Sequence, residues 1–156
     1  MRQVFALCLA IIMAGAAPAT PQSPAGLPVP DEFKEVEPFV RFLEQHGLMV
    51  SEVTSSDLSV IVGAKASAYV GTERGQFDIM IFRGQSDAER IRVTYSRGSR
   101  GSRHVYQIAD LSGRQPPRTT EVDHPLYFTM HRNWFVVTPN AVLDEWLKAK
   151  LGQSVP

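Results

Sequence analysis

Apolar residues recur at helical spacing over residues 31–47, where Phe33, Val36, Val40 and Leu43, with Phe39 beside them, fall on one face. This spacing predicts an amphipathic helix. Asp31 is placed to cap it, Glu32 and Glu35 suit the positive end of its dipole, and Gly47 after His46 marks a left-handed stop. Pro38 either kinks the helix or forms its true first turn, because a proline ring clashes with the carbonyl four residues back. The rhythm then changes to short runs. Residues 48–53 predict a strand, and residues 58–62 fit either a strand or one buried helical turn. Residues 66–72 and 77–82 flank the polar loop Glu73-Arg74-Gly75-Gln76 and predict a hairpin. In its second strand Phe77, Ile79 and Ile81 share one face and Asp78, Met80 and Phe82 the other, which places that strand near the centre of a sheet.

Ser86-Asp87-Ala88-Glu89 carries a capping-box pattern and predicts a short helix over residues 87–95. Residues 104–108 predict a strand, residues 126–131 with 134–138 a hairpin, and residues 139–151 a last helix. Val142, Leu143, Trp146, Leu147 and Leu151 form the apolar stripe of that helix, and Gly152 ends it. The order is helix, strands, helix, strands, helix. With local hairpins, it predicts an α+β domain: a mainly antiparallel sheet of about five strands with helices packed on one face.

The N-terminus has a different character. Met1-Arg2-Gln3 is a short positive region, residues 4–13 are apolar without interruption, and small residues follow from Ala14 to Ala17. Residues 1–19 therefore read as a cleaved Sec-type signal peptide, with cleavage after Ala16 or after Ala19 both satisfying the small-x-small rule. Cys8 is the one cysteine of the chain and lies inside the apolar region, so cleavage leaves no thiol for a disulfide, a zinc site or nucleophilic catalysis. Prolines at 18, 21, 24, 28 and 30 make residues 20–30 an extended, flexible tether. Residues 31–156 are then a single α+β globular domain.

Composition agrees with that division. The 156 residues are 44% hydrophobic, with Lys+Arg 16 against Asp+Glu 16. Balanced charge and export argue against nucleic acid, and no internal apolar run approaches the roughly 20 residues of a membrane span, so no transmembrane segment is expected after cleavage. The total hides a gradient. Residues 31–57 hold seven acidic and two basic side chains, whereas residues 65–118 hold ten basic and five acidic. Either these charges pair on an ordinary solvated surface or the basic side meets an anionic partner.

Arg97, Arg100 and Arg103, spaced by Gly-Ser pairs and joined by Arg90 and Arg92, are the candidate for that side, since guanidinium forks grip carboxylate or phosphate. A solvated connection has the same composition. Tyr95, His104 and Tyr106 lie close enough in sequence to stack a ring. Trp134, with Tyr127 and Tyr106, belongs either to the core beneath the last helix or to the floor of a ligand groove.

No G-x-S-x-G, H-E-x-x-H, P-loop or calcium loop occurs. Four histidines are scattered, and a metal site is a weak alternative that requires His104, His124 and His131 to converge with Asp123 or Asp110. The sequence thus leads to a small exported, periplasmic or secreted binding module without enzymatic activity or cofactor. Its expected partner is an anionic ligand or an envelope or extracellular protein, met through the Arg-rich loop. An envelope hydrolase or metal-dependent enzyme using the scattered His and Asp residues is the alternative.

Overall fold

A computed structural model describes residues 26–56, 63–98, 103–113 and 116–152. The signal segment, most of the Pro-rich stretch, residues 58–62 and Arg100 lie outside the described residues. The first helical segment divides at the proline, as its fixed φ requires. A 3₁₀ helix spans Asp31–Val36 and helix α1 spans Glu37–Gln45, with Pro38 in the first turn of α1. Gly47 follows with φ 82°, the left-handed conformation that lets Leu48 N return to Leu43 O at 3.0 Å. Residues 27–29 lie against this layer: Leu27 N donates to Glu44 Oε1 at 3.2 Å, and Val29 packs on the core.

Strands β1 (Val50–Thr54), β2 (Ala66–Thr72) and β3 (Gly75–Ile81) form an antiparallel meander. Strands β7 (Tyr127–His131) and β8 (Trp134–Thr138) complete a five-stranded sheet in the order β1-β2-β3-β8-β7. The predicted last hairpin is this β7–β8 pair. β3 is the middle strand, and both of its faces are buried as its sequence requires. Gly75 opens β3 with φ 139°, and a Cβ there would stand 2.6 Å from Leu143, so the turn and the helix above it both demand glycine.

Each face of the sheet has its own core. Phe77, Ile79 and Ile81 of β3 join Val70, Val136, the α1 residues Phe39, Val40 and Leu43, and Leu143, Leu147 and Leu151 of helix α3 (Ala141–Leu151). Helices therefore cover one face of a five-stranded antiparallel sheet, the α+β arrangement and element order expected. Asn140 caps α3 by accepting from Val142 N and Leu143 N, and Gly152 stops it at φ 74°.

On the opposite face, Met80, Phe82, Met130, Phe135 and Val137 pack against Ile91 and Ile108. These two isoleucines come from a separate three-stranded sheet, β4 (Ile91–Arg97), β5 (His104–Asp110) and β6 (Arg118–Val122). The helix expected over residues 87–95 is accordingly corrected: helix α2 is one turn, Gln85–Ala88, capped by the backbone of Gly84. Ser86 makes no capping bond there, because the helix begins at Gln85 and puts Ser86 inside its first turn; Asp87 pairs with Arg90 and Gln85 donates to Glu89. Beyond the turn, Ile91, Val93 and Thr94 are β-branched and suit the pleated strand that forms.

Two side chains also depart from expectation. Trp134 packs beneath α1 rather than α3, 5.4 Å from the Phe39 ring and 6.0 Å from the Phe42 ring. Val142 is 74% exposed, and the inward position is taken by Asp144 instead. Nearby, His131 closes β7 with its ring 6.2 Å from Trp134. Burial, and then the charge of Arg132, hold its imidazole below its ordinary range. Folding favours the neutral ring, so the unfolded chain binds more protons. Stability from this group is complete above about pH 6.5 and declines as pH falls below it. His131→Gln is expected to flatten the stability profile as pH falls below about 6.5 in denaturant titrations. An unchanged slope would assign the acid sensitivity to other groups.

Candidate ligand groove

Strand alternation sorts the meander into two faces. Ile91, Val93, Tyr95 and Arg97 stand on one side of β4, and the register sets them opposite Asp110, Ile108, Tyr106 and His104 of β5. The inner ends of these strands, Ile91 and Ile108, are covered by the large sheet. The outer ends run past it. Val93, Tyr95, His104 and Tyr106 there face Pro125, Leu126 and Phe128 across an open groove of about 460 Å³.

The groove is a staircase of rings from core to solvent. Phe135 lies 5.9 Å from Phe128, and Phe128 lies 5.2 Å from Tyr106. Tyr106 in turn is 5.3 Å from Tyr95, which lies 5.7 Å from His104. Tyr106 is 5% exposed and forms the floor, whereas Tyr95 at the mouth is 51% exposed. A backbone contact holds the two walls together: Leu126 N donates to the Tyr106 hydroxyl at 2.8 Å. Tyr106→Phe is expected to leave that amide without its partner, costing about 1 kcal/mol in urea unfolding and raising hydrogen exchange at Leu126. Unchanged exchange there would show that the bond does not brace the groove.

The sequence-predicted residues divide around this feature. Tyr106 and His104 line it. Arg97 is opposite His104 in the register, on the groove face, and makes no ion pair among the described residues. Arg103 is occupied otherwise, with Nε 3.3 Å from Asp123 and Nη1 3.8 Å from Glu121. Arg92 stands on the other face and donates to the carbonyls of Glu89 and Ile91 at 2.8 and 3.0 Å. Arg100 lies outside the described residues.

The metal alternative finds its members apart. His104 is on the small sheet, His131 is on the large one beside Trp134, and His124 is exposed before Pro125. Among the described residues no three His, Cys, Asp or Glu side chains gather as metal ligands. Asp110, the other oxygen ligand considered, bonds Ser112 instead.

Leu126, Pro125 and Val93 carry no sequence signal for a site, and Phe128 reads in sequence only as a cross-strand aromatic of the last hairpin. A strand signal is present, because Val93 and Tyr95 alternate with polar residues as a half-buried strand does. The opposite wall depends on how the last hairpin packs. No protein-family model matches this chain, and no curated protein or solved structure matches it.

Proposed function

We propose that this protein is a small exported binding module without enzymatic activity, and that its binding surface is the open end of the β4–β6 meander. The observation that carries the reading is the aromatic groove, whose outermost ring, Tyr95, stands half exposed beside Arg97. A large aromatic side chain at a groove mouth costs solvation of apolar area that a bound partner recovers. Arg97, on the same face beyond Tyr95, gives that mouth a basic group suited to an anionic ligand or an acidic protein surface, and the sequence adds Arg100 in the β4–β5 connection. Export is supported by the charged, apolar and small-residue succession of residues 1–19. Protein recovered from the periplasm or medium is expected to begin at Ala17 or Thr20, and recovery with Met1 intact would overturn export by cleavage.

The test compares exported wild type with Tyr95→Ala and with the combined R97A, R100A and R103A variant. Each carries a C-terminal tag and is incubated with envelope extract, and bound proteins and small molecules are identified by mass spectrometry. Wild type is expected to retain a partner that both variants lose by tenfold or more, while all three melt within about 2 °C of each other, because Tyr95, Arg97 and Arg103 are exposed. Equal recovery by all three, or no partner with any, would overturn the reading.

A further inference from the structure

From the lining of the groove we infer that its ligand is a small planar aromatic acid, a fused or single ring bearing one carboxylate. The inference rests on the groove being the binding surface and adds the chemical class of what it takes. Three features of the lining select that class. First, the surface offered to a ligand is made of rings: Tyr95 is tilted 41° to Tyr106 and 32° to His104, while His104 and Tyr106 are nearly parallel at 8°. Such a set of faces and edges receives a flat π-system in offset or edge-on contact.

Second, polar atoms are few. Tyr95, His104 and Tyr106 supply the side-chain polar atoms of the lining, and the Tyr106 hydroxyl already accepts from Leu126 N. A sugar or a polar peptide, which presents many donors and acceptors, would find few partners for them in this lining. Third, the charge is at one end. Arg97 sits on the groove face beyond Tyr95, directly across from His104, and is not engaged by a carboxylate among the described residues. Arg103 nearby is already held by Glu121 and Asp123. The register therefore sets one arginine, unpaired by any carboxylate among the described residues, just beyond the rings, where it is complementary to one carboxylate on a ligand whose ring lies inward. A groove of about 460 Å³ is also within the size range of small-ligand pockets.

The experiment titrates the exported protein with three probes and follows backbone amide shifts. 2-Naphthoate has both the ring and the charge, 2-naphthalenemethanol keeps the ring alone, and cyclohexanecarboxylate keeps the charge on a saturated ring. 2-Naphthoate is expected to shift residues of β4, β5 and residues 125–128 and to bind about tenfold tighter than either of the others. Arg97→Gln is expected to bring 2-naphthoate down to the affinity of the alcohol without changing the alcohol. Tyr95→Ala is expected to weaken both ring-bearing probes, with the melting temperature of each variant showing that the fold is kept. Equal binding of all three probes, no binding of 2-naphthoate, or shifts confined to another surface would overturn the inference. If that happens while Tyr95→Ala still loses the partner retained from envelope extract, the groove stands and only the ligand class falls. If Tyr95→Ala retains that partner, the groove itself falls.

Discussion

Phe77→Ala is expected to lower the unfolding free energy by about 3–5 kcal/mol. Phe77 is fully buried in the central strand, and its ring meets the Phe39 ring edge-on at 6.0 Å, so it is one of the central contacts through which α1 closes the helix face of the sheet. Truncation removes its transfer energy and leaves a cavity between two rigid elements that cannot both collapse into it. A domain of this size is commonly stable by only about 5–15 kcal/mol, so the variant is expected to be marginal at 37 °C. Phe77→Leu keeps much of the volume and is expected to cost less than half as much. Urea unfolding of the three proteins measures both effects. A loss under about 1 kcal/mol for the alanine variant would mean that the helix layer does not depend on this contact.

The second large effect comes from a polar group. Asp144 is 3% exposed in α3, accepts from the buried Thr129 hydroxyl of β7 at 2.7 Å and holds Lys148 Nζ at 2.6 Å. Asp144→Ala deprives both donors at once, and a buried hydroxyl without a partner is costly in itself. The expected loss is about 2–4 kcal/mol. Thr129→Val together with Asp144→Leu replaces the hydrogen-bonded pair with apolar groups and is expected to recover most of that loss. A double-mutant cycle in urea decides the matter, since purely additive losses would show that Thr129 and Asp144 do not act as a unit.

Phe77 and Asp144 also mark how far the fold can be read from sequence. The two-faced apolar pattern of residues 77–82 identified the central strand, because only a strand covered on both sides keeps such a run. Pro38, Gly47 and Gly152 marked helix ends through backbone geometry that depends on local covalent structure alone. Asp144 and Val142 were exchanged because the stripe of a short helix is set by what it packs against, and Thr129 on β7 supplied the partner that made an inward carboxylate tolerable. The capping pattern at Ser86 predicts a helix through residues 91–95, but its energy is small beside the strand pairing with β5. β6, with Arg118, Thr119 and Thr120 in sequence, has little apolar signal and is a strand through its pairing with β5.

The site was legible in one wall. Tyr95, His104 and Tyr106 were recognisable as rings able to gather, and the register of β4 on β5 brings them together. Phe128 and Leu126 join them through packing of the β7–β8 hairpin against the meander, a contact far apart in sequence with no local pattern of its own. The arginines were visible as a cluster, but strand alternation separates Arg97 from Arg92, and Arg103 is paired by acidic residues of β6 and the turn after it.

The measurement that bears most directly on a binding role for the groove is the structure of the exported protein with its retained ligand, or with 2-naphthoate, determined from intermolecular nuclear Overhauser contacts. Contacts from the ligand ring to Tyr95, Tyr106 and Phe128, with its carboxylate end beside Arg97, are the predicted result. A ligand seated on the helix layer or on the outer face of the meander, with Tyr95 untouched, would contradict it.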